Sequence, residues 1–237
     1  MVWMTHKTSS TQLDEMYEAF EIHSHDLDGN DCVLFVCPGF SNEACEATKN
    51  IINDKLDSIR NKYKKVFVIN LFPLKKFQKI SDATDTISTA IERHDKWAAD
   101  IAMKATHSSV VDKIIRAICN DMNISNVHLL GKSAGGGLAM NIVTRNTIYK
   151  KLYLAVPAHP LFCKPLIEGN IYDKLMVVVG WNYNDEYNLY DIKSNKQMPY
   201  YEDVFIQIKN KYPNFNYVQC LFSPGNKHEV NPNLLDL

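Results

Sequence analysis

The chain has 237 residues, of which 46% are hydrophobic and 22% are charged. These values are ordinary for a globular protein and exclude a disordered chain. With 26 basic and 27 acidic residues, the formal net charge is −1. The chain therefore has no long-range positive field, and we expect no nucleic-acid partner. The apolar runs are too short to span a membrane, and one α/β domain over residues 1–237 is the natural expectation.

The amino-terminal segment and the cysteines indicate the cellular setting. Residues 1–15 lack the apolar stretch and the small-residue cleavage site of a secretory signal, so we expect a cytoplasmic protein. None of the six cysteines forms a CxxC pair, and free thiols are the expectation. His23 and His25 could share a strand face, but no further ligand pattern accompanies them. We therefore predict no metal site and no cofactor.

Short apolar runs alternate along the chain with segments of helical periodicity. In chain order, the pattern predicts a strand at 32–37, a helix at 43–63, a strand at 66–71, a mostly helical stretch at 82–122 with a break near 106–109, a strand at 127–130, a helix at 134–144, strands at 152–156 and 175–179, a helix at 200–212, and a strand at 217–222.

The character of these strands predicts the architecture. They are continuously apolar, which indicates burial on both faces, and helices separate them, which indicates parallel crossovers. The exception is the early segment 16–25, which could form antiparallel strands with Asp28-Gly29-Asn30 as the turn. We therefore predict a three-layer α/β sandwich with a mostly parallel, doubly wound sheet.

The strongest chemical signal is the pentapeptide Gly131-Lys132-Ser133-Ala134-Gly135, which satisfies G-x-S-x-G. An apolar strand leads into it and a helical segment follows, which is the context that a nucleophilic serine on a sharp turn requires. A helix-capping serine would not need the three consecutive glycines 135–137. A phosphate-binding loop would need a glycine at position 126, where the chain has Asn126.

On these residues the chain resembles an α/β-hydrolase-fold serine hydrolase of the esterase and lipase-like superfamily, over about residues 30–232. The resemblance implies a nucleophile, an acid and a histidine in that chain order. Ser133 is then the nucleophile. His228, which follows the last predicted strand, is the base that accepts the serine proton. His159 follows an earlier strand, and we expect it to line the substrate pocket.

The resemblance also places the triad acid after the penultimate strand. Asp185 is the first choice, and its carboxylate would orient the imidazole of His228. Asp185 lies further from Gly180 than the family's usual Gly-x-x-Asp spacing, so Glu186 and Asp191 stay open as alternatives.

An oxyanion hole needs two backbone N–H groups that point at the developing alkoxide. The resemblance implies that one comes from Ala134, directly after the nucleophile. The other would come from Phe40, in the loop Cys37-Pro-Gly-Phe-Ser41 that follows the first parallel strand.

Two residues near the expected site bear on the choice of substrate. Lys132 places a cation beside the serine, which could favour an acidic substrate, and Trp181 is one of several aromatic residues on loops near the expected site. We expect little or no cap between residues 156 and 175, and partial cover from an insertion at 72–106.

Hydrolysis of a small-molecule carboxylic ester or thioester is the most economical prediction of function. A peptidase or an acyltransferase would use the same triad. A catalytically inactive relative that binds a small molecule or partner in the same cleft is the alternative from a different class. The sequence predicts no particular oligomeric state.

Overall fold

A computed structural model describes residues 3–6, 18–22, 27–29, 31–39, 42–70, 105–156, 175–181, 190–191, 196–197, 206–207, 209–211, 213, 216–221 and 234–236. The strands in these residues are β1 Trp3–His6, β2 Glu18–Ile22, β3 Cys32–Cys37, β4 Lys65–Asn70, β5 Asn126–Lys132, β6 Tyr149–Ala155, β7 Met176–Trp181, β8 Tyr190–Asp191, β9 Lys196–Gln197 and β10 Asn216–Leu221. The helices are α1 Asn42–Asp54, α2 Leu56–Arg60, α3 Ala105–Asp121 and α4 Ala134–Val143, and Leu234–Asp236 forms a 3-10 turn.

Eight of the described strands form one sheet in the order β1-β2-β4-β3-β5-β6-β7-β10. The pairs β1/β2 and β2/β4 are antiparallel. Every neighbouring pair from β4 to β10 is parallel. The carboxyl ends of six strands therefore meet at one edge of the sheet, where ligands bind in open α/β folds. The predicted mostly parallel sheet is confirmed.

The sheet separates two hydrophobic cores. Alternate residues of β3 point to opposite faces, so Phe35 enters one core and Leu34 the other. Helices α3 and α4 cover the first face with side chains such as Leu138, and α1, α2 and the 3-10 turn cover the second with side chains such as Ile52 and Leu234. This arrangement confirms the three-layer sandwich, and it explains why the strands read as continuously apolar.

Two details of the predicted helices are wrong. Helix α3 runs without interruption over Ala105–Asp121, where a break near 106–109 was expected. Ser108 lies within that range. It is buried, and its hydroxyl accepts a hydrogen bond from Arg145 Nε at 3.0 Å, so a distant residue binds the hydroxyl and the helix continues. The single helix predicted at 43–63 is divided into α1 and α2 at Lys55.

The early segment is antiparallel as expected, but its turn has a different role. Strand β2 lies between β1 and β4 and does not pair with β3. The backbone N–H groups of Asp28 and Gly29 donate to the carbonyls of Arg60 and Tyr63 at 3.0 and 3.2 Å. A Cβ on Gly29 would lie 2.3 Å from the backbone nitrogen of Tyr63. These residues therefore dock against the connection between α2 and β4 instead of closing a hairpin.

Two segments that bear on substrate access, 71–104 and 157–174, lie outside the described residues. The expectations of partial cover from the first and of little cap from the second stay predictions. In the part of the chain that is described, no helix combines the length and the apolar character that crossing a bilayer requires.

Candidate active site

Ser133 is the single residue between a strand and a helix. Strand β5 ends at Lys132, and α4 begins at Ala134. The backbone of Ser133 has φ 53° and ψ −123°. A residue with a side chain adopts such a conformation at a cost of roughly 1–3 kcal/mol, and it persists only where the surroundings impose it. The sharp turn that the G-x-S-x-G pattern indicates is therefore present at this serine.

Hydrogen bonds on both sides hold the backbone of Ser133. Its N–H donates to the carbonyl of Ala155 in the neighbouring strand at 3.1 Å, and its carbonyl accepts from the N–H of Gly136 at 2.9 Å. The hydroxyl makes no capping hydrogen bond to α4. Ser133 thus differs from an ordinary helix-capping serine, whose side-chain oxygen accepts from the helix backbone.

Two glycines of the motif are required by close backbone contacts. A Cβ on Gly131 would lie 2.6 Å from the carbonyl oxygen of Gly135. A Cβ on Gly135 would lie 2.1 Å from the carbonyl oxygen of Cys37 and 2.3 Å from that of Pro38. Any side chain at either position would displace backbone. The start of α4 therefore packs directly against the end of β3.

The same contacts bring the segment after β3 beside Ser133. An ideal Cβ on Gly39 would lie 3.5 Å from Ser133 Cβ and 4.0 Å from Ser133 Oγ. The N–H of Ala134, at the first position of α4, is one of the first four of the helix, which have no partner at i−4. Phe40, the other expected oxyanion-hole residue, follows Gly39 in the chain and lies outside the described residues.

Cys37, at the end of β3, carries a thiol close to this turn. The residue is fully buried, and burial raises the pKa of its thiol to about 12. Because the thiolate is the nucleophilic form, a thiol that keeps its proton at neutral pH does not compete with the serine hydroxyl.

Three other predicted site residues fall within described elements. Lys132 is the partly exposed last residue of β5 and pairs in register with Ala155. Trp181 is the last residue of β7, so its backbone belongs to the carboxyl edge of the sheet as a strand residue, not to the loop that was expected. Asp191 belongs to β8, which pairs with β9 in a separate two-stranded sheet.

The remaining candidates lie outside the described residues, and their roles stay predictions. They are the expected base His228, the first-choice acid Asp185, its alternative Glu186, and the pocket residue His159.

The sequence interpretation missed two residues next to Ser133. Ala155 supplies the carbonyl that accepts the Ser133 N–H, and Val156 has a φ of 38°. The apolar run at 152–156 predicts a uniform strand, so it indicates neither the hydrogen bond to Ser133 nor the positive φ of Val156. The one local signal, Pro157, is misleading, because a residue before proline is normally extended.

A polar cluster occupies the other end of β5. The hydroxyl of Tyr63 lies 2.9 Å from Nδ1 of His128 and 3.3 Å from the hydroxyl of Tyr153. Burial lowers the pKa of His128 to about 4, with a smaller effect from two nearby lysines, so the imidazole is neutral at pH 7. Tyr63 and Tyr153 belong to the core on the face that α1 and α2 cover. The cluster is separate from the turn at Ser133, which follows the opposite end of β5. The described residues contain no group of three side chains placed to hold a metal ion.

No protein-family model matches the chain, and no curated protein matches it by sequence. Several solved structures are similar to the chain. The chain is similar to a highly thermostable carboxyl esterase from Bacillus coagulans at 8% identity, with 96% of this chain and 91% of the esterase covered and a TM-score of 0.59. It is similar to an IroE-like serine hydrolase from Shewanella oneidensis at 11% identity, with 99% and 77% covered and a TM-score of 0.59.

A third similar structure is an alpha-beta serine hydrolase homologue from Coxiella burnetii, at 11% identity, with 96% of this chain and 88% of that chain covered and a TM-score of 0.53. Likeness at this level of identity is evidence for the fold. Together with the mostly parallel sheet and the strained serine between β5 and α4, it shows that the chain has the α/β-hydrolase fold.

Proposed function

We propose that this protein is a serine hydrolase that cleaves a small-molecule carboxylic ester or thioester through an acyl-enzyme on Ser133. The observation that carries the proposal is the strained backbone of Ser133, whose hydroxyl does not cap the helix that follows. Strain of this kind in a residue with a side chain concentrates at functional sites. The esterases and serine hydrolases among the structural neighbours favour the same chemistry.

Acylation begins with attack of Ser133 Oγ on the acyl carbon. The imidazole of His228 accepts the hydroxyl proton as the Oγ–carbon bond forms, and the electron pair of the carbonyl moves onto its oxygen. The N–H groups of Ala134 and Phe40 donate to this oxyanion. The intermediate then collapses, and the alkoxide or thiolate leaves with the proton from His228.

Deacylation repeats these steps with water. His228 accepts a proton from the water, whose oxygen attacks the acyl carbon, and the same two N–H groups stabilise the second oxyanion. Collapse releases the carboxylic acid and returns the proton to Ser133 Oγ. Asp185 orients the imidazole and stabilises its cation. No step requires a metal ion or an organic cofactor.

The substrate pocket in this proposal includes Lys132, His159 and Trp181. Lys132 ends β5 directly before the serine, and Trp181 ends β7 at the same edge of the sheet. A pocket with an aromatic wall and one cation suits a moderately apolar acyl group that carries a negative charge. The cytoplasmic location and the single domain over residues 1–237 belong to the same proposal.

The test is covalent labelling with a fluorophosphonate, read by intact mass. Attack by Oγ on phosphorus displaces fluoride and leaves one stable adduct. We expect one adduct on the wild-type protein and none on Ser133→Ala, which removes only the hydroxyl and should fold normally. Ser58→Ala, a matched control in α2, should be labelled like the wild-type protein. Labelling of Ser133→Ala at the wild-type rate would refute the assignment of the nucleophile.

The base is tested in the same assay. His228→Ala should slow labelling by about 10³-fold or more, because an unassisted serine hydroxyl is a weak nucleophile, whereas His159→Ala should have a much smaller effect. The reverse order would identify His159 as the base. Folded wild-type protein without an adduct would favour the inactive binding protein. A panel of esters, thioesters and peptides, with and without an acceptor alcohol, then separates hydrolase, peptidase and acyltransferase.

A further inference from the structure

The 3-10 turn Leu234–Asp236 is docked on the face of the sheet that α1 and α2 cover. Leu234 and Leu235 are buried, and both belong to the core that contains Ile52. The turn contacts α2, β6 and β7. Lys62 Nζ, in the connection between α2 and β4, donates a hydrogen bond to the carbonyl of Leu235 at 2.9 Å. Apolar burial and a hydrogen bond from a residue far away in the sequence therefore hold the turn in place.

Strand β10 fixes the chain ahead of this turn. It pairs with β7 in parallel and ends with Leu221 at the carboxyl edge of the sheet. The residues between the strand and the turn, 222–233, lie outside the described residues. His228, the expected base, is seven residues after Leu221 and six before Leu234. Covalent continuity therefore ties the segment that carries His228 to two fixed points, whatever its course.

The distances allow this segment to reach Ser133. Three strand spacings separate β10 from β5, which is about 14 Å. A residue adds at most about 3.6 Å, so His228 can lie up to about 25 Å from Leu221. The turn lies against β6 and β7, the two strands that follow β5 in the sheet. The second anchor therefore removes positions that Leu221 alone would permit, and it leaves Ser133 within reach.

We propose that Leu234 and Lys62 are positioning residues, which dock the 3-10 turn and thereby keep the imidazole of His228 within reach of Ser133 Oγ. This inference rests on the proposed hydrolase function, in which His228 is the base. Once the turn is undocked, His228 belongs to a tail that is fixed at Leu221 only. Seven flexible residues span about 15 Å on average, whereas proton transfer needs a separation of about 3 Å. The fraction of molecules that can react then falls.

The test compares Leu234→Ala with Ile52→Ala. Both side chains are fully buried in the same core, so both variants leave a cavity there and lose stability. We expect fluorophosphonate labelling of folded Leu234→Ala to be about tenfold slower than that of Ile52→Ala, which should be labelled at the wild-type rate. Leu234→Met keeps an apolar side chain of similar volume, and it should keep the wild-type rate as well.

Free imidazole distinguishes a displaced base from a disturbed site. A side chain on a flexible tether has an effective concentration on the order of millimolar, so imidazole at about 100 mM exceeds it. Added imidazole should therefore raise the labelling rate of Leu234→Ala, as it should that of His228→Ala, and leave the wild-type rate unchanged. A slow rate caused by altered packing around Ser133 would not respond, because the base would still be in place.

Lys62→Met removes the hydrogen bond to the turn and leaves the core intact, so it serves even if Leu234→Ala does not fold. We expect labelling about threefold slower, with the same response to imidazole. Lys64→Met, at an exposed position of the same connection, should match the wild-type protein. Labelling of Leu234→Ala or, if it does not fold, of Lys62→Met at the rate of its control, or a slow rate that imidazole does not raise, overturns the role of the turn and leaves the hydrolase proposal intact. Wild-type protein that takes no adduct overturns both.

Discussion

Gly39→Ala tests the space beside the candidate nucleophile without disturbing the fold. The added methyl group would lie 3.5 Å from Ala44 Cβ and 3.5 Å from Ser133 Cβ, which are ordinary contact distances. The φ of Gly39 is outside the left-handed region, so alanine can adopt the same backbone. We therefore expect the free energy of unfolding to be unchanged or to rise by about 0.4–1 kcal/mol, because alanine restricts the unfolded chain.

The expected effect on the reaction is large. The methyl group would lie 4.0 Å from Ser133 Oγ, on the side of the segment that leads to Phe40. An acyl carbon bonded to Oγ needs part of that space, since carbon atoms do not pack closer than about 3.5 Å. Displacing the oxyanion from one donor typically lowers the rate by about 10²–10³-fold, which corresponds to about 2.7–4 kcal/mol.

Gly135→Ala provides the opposite outcome from the same substitution. Its Cβ would lie 2.1 Å from the carbonyl oxygen of Cys37, so α4 and the end of β3 would have to separate. We therefore expect Gly39→Ala to unfold at or above the wild-type temperature and to be labelled slowly by the fluorophosphonate. Gly135→Ala should unfold at a lower temperature than the wild-type protein. If Gly39→Ala were labelled at the wild-type rate, the reaction would not use the space beside Gly39, and the assigned oxyanion hole would be wrong.

Two further predictions concern stability. Because the pKa of His128 is about 4 in the folded protein and about 6.5 in the unfolded chain, the unfolded chain takes up the proton first as the pH falls. Wild-type stability should fall by up to about 3 kcal/mol between pH 6.5 and 4, and urea titrations of His128→Asn should lack this part of the decrease. Tyr149→Phe removes the donor that lies 2.5 Å from Asp112 Oδ1 and should cost about 1–3 kcal/mol at pH 7. An unchanged urea midpoint would show that the bond contributes nothing.

The strands of the parallel sheet could be predicted because their signals are local. The run Cys32–Cys37 is apolar throughout and ends at Pro38-Gly39, and the strand has these same bounds. Two of the wrong predictions concern residues with partners far away in the sequence. The predicted break in α3 is absent, in a region where Ser108 is bonded to Arg145, 37 residues away. The supposed hairpin turn at Gly29 packs on Tyr63, which no pattern within a few residues can indicate.

The turn at Ser133 follows from local sequence alone. Close backbone contacts require glycine at positions 131 and 135. The apolar strand that leads into the motif and the helix that follows it are also visible as local sequence patterns. The backbone of Val156, in contrast, depends on contacts between distant strands. Its local preferences as a valine before proline favour an extended backbone, yet its φ is 38°. The hydrogen bonds from the N–H of Ser133 and to the carbonyl of Gly180 hold the peptide group that precedes it. Hydrogen bonds between strands far apart in sequence outweigh the conformational preference of a single residue, because two of them act on the same peptide group at once.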